Sequence, residues 1–381
     1  IASRLKNSLR ESDTLARIGG DEFVAVLDGL AHPSDCEPLL ERMLSAASKT
    51  MALGDKQLKV SASIGVTIYP QDGVDAEKLL RHSDQAMYLA KQSGKNCFHL
   101  FDVAENVAVK TQHEELEQIS NAFKNNELVL FYQPKVNMQT GNVIGAEALI
   151  RWQHPQRGLL SPSEFLPCIE DNLLSVNVGE WVISTALKQM EDWYSAGLEI
   201  PISVNVGALQ LQQPDFVQRL KYLLEQFPRI QPNNLELEIL ETNALGDIAQ
   251  VSTVIRECQQ LGIRFALDDF GTGYSSLTYL KRLPAELLKI DQSFVRDMLD
   301  DPDDLAIIQG VIGLAAAFKR TVIAEGVETI AHGEKLLSLG CTLAQGYGIA
   351  RPMPASDIPA WVETWRPDQA WSNKKSHPDG L

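Results

Sequence analysis

The strongest constraint on this chain is a rhythm that starts near residue 127. Short apolar runs alternate with longer stretches of helical spacing. The runs are Leu128–Pro134, Val143–Ile150, Ile202–Val206, Leu235–Leu240, Arg264–Leu267, Leu287–Ile290, Thr321–Ala324 and a weaker one near Thr342–Ala344. Helical patterns fill most of the intervals: Glu180–Ala196, Pro214–Gln226, Asp247–Leu261, Asp304–Phe318 and Ile330–Leu339. A strand-then-helix repeat over about 240 residues predicts parallel βα units, and the size suits a (β/α)8 barrel. The first two runs are joined by only a short turn, Asn137–Asn142, which reads as a hairpin and predicts that one barrel strand runs antiparallel.

Polar residues stand at the ends of nearly all these runs. Successive runs deliver Glu147, Asn205, Glu238 (with Glu241 just beyond), Asp268 and Asp269, Lys289 (then Asp291), Glu325 (then Glu328) and Gln345. In a barrel the C-terminal strand ends converge on one mouth, so these residues form a ring. So many carboxylates cannot all stay ionised in a confined site without cations. An oxygen-rich set with a carboxamide suits Mg2+ or Mn2+ better than Zn2+. The adjacent pair Asp268-Asp269 suits two bridged ions and in-line attack on a phosphoester. Lys289 is a candidate for holding the attacking water or neutralising the phosphate, and Glu325 for general base. Any one carboxylate is equally well explained as a helix cap. The set is not, because caps do not require a Lys and an Asn in the same ring.

Residues 1–104 read as mixed α/β. Arg17–Leu27 gives a hairpin around Gly-Gly-Asp-Glu, Lys59–Tyr69 a strand, Asp75–Ser93 a helix and Phe98–Phe101 a last strand. Residues 105–126 read as a connecting helix, 127–365 as the barrel and 366–381 as a disordered tail. The chain carries 34 Lys and Arg against 50 Asp and Glu, a formal net charge of −16. That balance argues against a nucleic-acid groove or a polybasic membrane patch. Five scattered cysteines without a C-x-x-C read as reduced thiols, hence a cytoplasmic setting. No apolar run reaches the ~20 residues of a membrane helix. The opening Ile1-Ala2-Ser3-Arg4-Leu5 reads as mid-helix, so the expectation is a piece of a longer chain, with any sensor or membrane anchor upstream.

Residues from about 113 to 365 resemble the EAL family of cyclic-di-GMP phosphodiesterases. The matching pieces are E-A-L-I-R-W from Glu147, S-V-N-V-G around Asn205, L-E-L-E-I-L-E-T around Glu238, D-D-F-G-T-G-Y-S-S from Asp268, L-K-I-D around Lys289, A-E-G-V-E-T from Glu325 and Q-G-Y-G from Gln345. Seven motifs in order are far more specific than the tripeptide Glu-Ala-Leu. The resemblance implies a TIM-type barrel with one reversed strand. It implies metal-dependent hydrolysis of one phosphodiester of cyclic-di-GMP, giving linear pGpG, with two Mg2+ or Mn2+ ions. Carried onto this chain, it makes Glu147, Asn205, Glu238, Asp268 and Asp269 metal ligands, Lys289 the water-positioning lysine and Glu325 the general base. Glu241 becomes the residue orienting the D-D-F-G-T-G-Y-S-S loop, and Arg151, Gln345, Asp291 and Glu328 become substrate-side residues. A homodimer through the barrel is also implied. Leu173 stands where the family often has Gly, a local loop difference.

The N-terminal zone resembles the C-terminal part of a GGDEF (diguanylate cyclase) domain. The matches are Gly19-Gly20-Asp21-Glu22-Phe23, S-I-G-V around Gly65 and D-Q-A-M-Y-L-A-K-Q-S-G-K-N from Asp84. Arg10 and Asp13 stand where the family has its R-x-x-D inhibitory site. The resemblance places the family's first strand, with a metal-binding Asp and a guanine-reading Asn, before residue 1. The expectation is therefore an inactive or regulatory GGDEF part, with GTP or cyclic-di-GMP as its ligand. Two alternatives stand beside the phosphodiesterase: a silent cyclic-di-GMP receptor, and a bifunctional cyclase–phosphodiesterase in the full-length protein. Silent members typically lose a metal ligand, the lysine or the base, whereas all seven positions are filled here. The run Asp300-Asp301-Pro302-Asp303-Asp304 reads as an acidic helix start, since it lacks the spacing and Gly of a calcium loop.

Overall fold

The computed structural model describes residues 1–53, 56–73, 75–241, 248–272 and 277–372. They divide into two compact units, Ile1–Glu114 and Glu115–Leu381, and the division falls inside the helix Val103–Lys124.

The second unit is a closed eight-stranded barrel. In chain order its strands are β1 Leu128–Asn137, β2 Val143–His154, β3 Ile202–Asn205, β4 Leu235–Leu240, β5 Arg264–Phe270, β6 Leu287–Ile290, β7 Thr321–Ala324 and β8 Leu343–Ala344. Neighbours from β2 to β8 pair in parallel. β1 pairs antiparallel with both β2 and β8, so the first strand is the reversed one and it closes the ring. The hairpin turn causes this: Asn137 Oδ1 accepts the amides of Gln139 and Thr140, folding the chain back. The parallel strands are buried on both faces, which is why they read as near-continuous apolar runs. The surrounding helices bury one stripe each, as Val182, Ile183, Ala186, Leu187 and Met190 do on Leu173–Ser195.

Two departures from expectation concern this unit. The helix expected from Glu180 begins at Leu173, where the Asn172 side chain accepts the Leu174 amide. Gly179 does not interrupt it, because that glycine makes room for Gln210, whose Oε1 lies where a Cβ would sit. The tail expected to be disordered from 366 forms a helical turn, Gln369–Ser372. Its Trp371 is buried over Gly333 and donates Nε1–H to the Ile330 carbonyl at 2.9 Å, so one large side chain ties the segment down. Residues 373–381 of that expected tail lie outside the described residues.

In the first unit, Thr14–Gly19 and Glu22–Val26 form the hairpin, with Gly20 in the left-handed region at the turn. Leu5, Met43 and Ala47 form a small core against which Phe23 and Ile64 pack. The long strand expected over Lys59–Tyr69 shrinks to Ile64–Val66, paired in parallel with Phe98–Leu100. A ladder extends no further than its partner, and that partner has three residues. Gly65 is required there: a Cβ would collide with the backbone of Ser83 and Met87 in the helix Ala76–Gln92.

Candidate active site

Seven strands of the barrel bring side chains to one cluster centred on Lys289. This side chain from β6 is fully buried, and its Nζ lies 2.5 Å from Glu238 Oε2, 2.7 Å from Glu325 Oε1, 3.0 Å from Asp268 Oδ1 and 3.3 Å from Glu147 Oε2. Asn205 Nδ2 donates to Glu147 Oε1 at 2.8 Å, and Gln345 Nε2 donates to Glu147 Oε2 at 2.7 Å. Register accounts for the meeting: Ser203 faces Glu147 across β3 and β2, and Asn205 faces Glu238 across β3 and β4.

Adjacent strand residues point to opposite faces, so Asp268 and Asp269 should not share a site. The pairing of β5 with β6 shifts between Leu267 and Phe270, and Asp269 adopts φ 53°. The resulting irregularity turns Asp269 toward the mouth. Its amide donates to Asp268 Oδ1 at 3.0 Å, and its carboxyl shares a hydrogen bond with Asp291.

The electrostatics arise from crowding. Burial, then the neighbouring carboxylates, push Glu147, Asp268 and Glu325 above the usual carboxyl range, against the opposing pull of Lys289. Burial and Asp268 push Asp269 up to about 7. Glu238 goes the other way: burial would raise it, but Lys289 and Lys135 together outweigh burial and hold it low. Lys289 stays charged because four carboxylates overcome its own desolvation. Counted as fully ionised, the five carboxylates would outnumber the Lys289 ammonium by four charges, which is why burial and crowding push most of them toward the protonated form. Two trios offer ligand atoms close enough for one ion each: Glu147, Glu238 and Asp268, and Asp268, Asp269 and Glu325. Asp268 belongs to both. All are hard oxygen donors, a set that fits divalent cations of the Mg2+ kind.

Residues 116–352 match the EAL domain family, and residues 1–97 match the family described as diguanylate cyclase, GGDEF domain. The chain belongs to the EAL family. It is 39 % identical over 363 residues to the bifunctional diguanylate cyclase/cyclic di-GMP phosphodiesterase MucR of Pseudomonas aeruginosa, covering 95 % of this chain and 53 % of that protein. It is 34 % identical to the cyclic di-GMP phosphodiesterase PdeR of Escherichia coli, covering 96 % of this chain and 55 % of that protein. The chain therefore spans about half the length of these curated relatives. Among solved structures, the PaMucR phosphodiesterase in complex with c-di-GMP superposes with TM-score 0.62 at 41 % identity, covering 64 % of this chain and 99 % of that one. The FimX EAL domain from Pseudomonas aeruginosa bound to c-di-GMP gives 0.58 at 25 %, covering 63 % of this chain and 96 % of that one.

The other residues expected at the site lie on, or just beyond, the barrel strands. Glu241 is buried and its Oε2 accepts the Gly271 amide at 3.0 Å, at the root of the loop whose residues 273–276 lie outside the described set. Arg151 lies on β2, half-buried, with its guanidinium 6.0 Å from the Phe131 ring centroid. Asp291 caps the helix Gln292–Asp297 through the Ser293 amide. Glu328 is exposed and its amide donates to His332 Nδ1. Trp152 is core: it is buried edge-on to Phe165 and donates Nε1–H to Glu127. In the first unit Gly19, Gly20, Asp21 and Glu22 are exposed on the hairpin and Phe23 is half-buried. Arg10 is exposed, whereas Asp13 is buried and its carboxylate accepts the Arg10 amide at 2.7 Å.

Four buried polar residues are not visible from the strand ends alone. Gln133 and Lys135 on β1 point into the barrel with Ser203 and Glu236. Gln133 accepts from Gln345 Nε2 at 2.9 Å and donates to the Ala350 carbonyl at 2.9 Å. The missed signal is a period of two: Gln133 and Lys135, Ser203 and Asn205, and Glu236 and Glu238 each share an inward face.

Proposed function

We propose that this chain hydrolyses one phosphodiester of cyclic-di-GMP to linear pGpG with the help of two divalent cations, Mg2+ or Mn2+. The observation that carries the reading is the five-carboxylate ring closed around Lys289, with its two overlapping ligand trios. Glu147, Asn205, Glu238, Asp268 and Asp269 would hold the cations. These would supply neutralisation of the phosphate and polarisation of the attacking water. Two such ions would cancel the formal excess of four charges that the ring carries when its carboxyls are all ionised.

The chain's own groups do the rest. Lys289, whose ammonium sits at the centre of the carboxylates, would donate to the water oxygen and fix its direction. Glu325, 2.7 Å from that ammonium, takes the water proton. The water oxygen bonds to phosphorus, the bond from phosphorus to the ribose 3′ oxygen breaks, and that oxygen takes a proton. The buried carbonyl oxygen Oε1 of Gln345 has no hydrogen-bond partner among the described residues, so it is an acceptor ready for a water or a substrate N–H. The PaMucR and FimX structures carry c-di-GMP on the same fold, which supports the ligand class.

The test is incubation of wild type, Lys289→Ala and Glu325→Ala with cyclic-di-GMP and Mg2+ or Mn2+, with products separated by chromatography. Wild type is expected to yield pGpG. Each variant is expected to lose about 10²-fold or more in turnover, since general-base and preorganised donor roles each contribute on that order. Wild type that binds cyclic-di-GMP but leaves it intact would establish a receptor instead.

A further inference from the structure

A second ion pair lies under the carboxylate ring. Lys135 enters from the reversed strand β1, and its Nζ contacts Glu236 Oε1 at 2.7 Å, Ser203 Oγ at 2.9 Å and Glu238 Oε1 at 3.3 Å. An ammonium has three protons, and these three partners use them all. Lys289 holds the other oxygen of Glu238, Oε2, at 2.5 Å. The Glu238 carboxylate is thus pinned at both ends by buried ammonium groups, one from the barrel floor and one from the mouth side.

We propose that Lys135 is a positioning residue for divalent-cation binding. It anchors Oε1 of Glu238 from below and so presents Oε2 to the mouth, while Glu236 balances the charge this requires. This rests on the reading of Glu238 as a cation ligand. A floor built only for stability would not need the pair: buried ion pairs replaced by well-packed apolar residues are often as stable or more so. Residues that orient a ligand from behind, by contrast, typically set metal affinity by 10–100-fold.

The experiment compares Mn2+ binding, read from the free-ion electron paramagnetic resonance signal, with melting temperature. The proteins are wild type, Lys135→Met/Glu236→Met and Ser203→Ala. The double variant removes both charges together and leaves no unpaired buried ion. It is expected to melt near or above wild type and to bind Mn2+ about 10–100-fold more weakly. Ser203→Ala keeps the ion pair and loses one anchor. It is expected to fold normally and to bind Mn2+ several-fold more weakly, which keeps the idea testable if the double variant does not fold. Wild type that binds Mn2+ while every folded variant matches its affinity would sink this proposal alone. Wild type that binds no Mn2+ would sink the cation reading first, and this proposal with it.

Discussion

Asp269 concentrates the cost of the site in one residue. It sits in the left-handed backbone region, beside Asp268 and hydrogen-bonded to Asp291. Its carboxyl titrates near 7 in the folded protein, against an ordinary value near 4. Between those values the folded state binds a proton that the unfolded state does not. Stability of the cation-free protein therefore falls as pH rises through that window, and the loss persists above it. Asp269→Asn removes the titration. Calorimetry is expected to show a melting-temperature advantage of Asp269→Asn over wild type that grows from pH 5 to pH 8. A constant gap would contradict the assignment. The residue types of the ring were legible because each strand end delivers a polar side chain. The way Asp269 reaches the ring was not, because an irregular pairing of two strands depends on the partner strand and leaves no local pattern. Lys135 and Glu236 were missed for another reason: they lie one layer below the strand ends, where only the period-two alternation of each strand marks them as inward-facing.

At the scale of elements, the two mouth segments A-E-G-V-E-T and Q-G-Y-G work as one piece. The Val327 amide donates to the Gln345 carbonyl at 3.0 Å, and the Gly348 amide donates to the Val327 carbonyl at 2.9 Å. A Cβ on Gly346 would lie 2.2 Å from the Val327 nitrogen, and one on Gly348 would lie 2.6 Å from the Glu328 backbone. The glycines in Q-G-Y-G are therefore the condition for Gln345 and Glu325 to share a site. Gly346→Ala is expected to destabilise the barrel by about 1–3 kcal/mol, the usual cost of overpacking. It is also expected to lower turnover, read by denaturant unfolding and by the pGpG assay. Wild-type values in both would mean that the segments are not clamped. The order and kind of the barrel elements could be read from periodicity, including the reversed first strand. The first turns of helix Leu173–Ser195 and the Trp371 turn could not, because a glycine inside one and a polar setting around the other hide tertiary contacts with Gln210 and Gly333.

At the scale of the whole molecule, the two units are unequally equipped. Both carboxylate trios found among the described residues lie in the barrel. The first unit presents Asp21 and Glu22 exposed on a hairpin that pairs with no further strand among the described residues, and Asp13 spends its carboxylate on closing its own turn. Incubated with GTP and Mg2+, this chain is expected to make no cyclic-di-GMP, and chromatographic detection of that product would overturn the expectation. The net charge of −16 is also reinterpreted at this scale. A concentrated part of it is the ring around Lys289, the site proposed above for divalent cations.

The most direct measurement of the central claim is the conversion of cyclic-di-GMP by this chain with Mn2+ or Mg2+, monitored over time, with an excess of chelator in a parallel sample. Stoichiometric pGpG that vanishes with chelator and returns with added cation is the expected result. Cyclic-di-GMP left intact by folded, cation-loaded protein, or pGpG produced equally well in chelator, would contradict it.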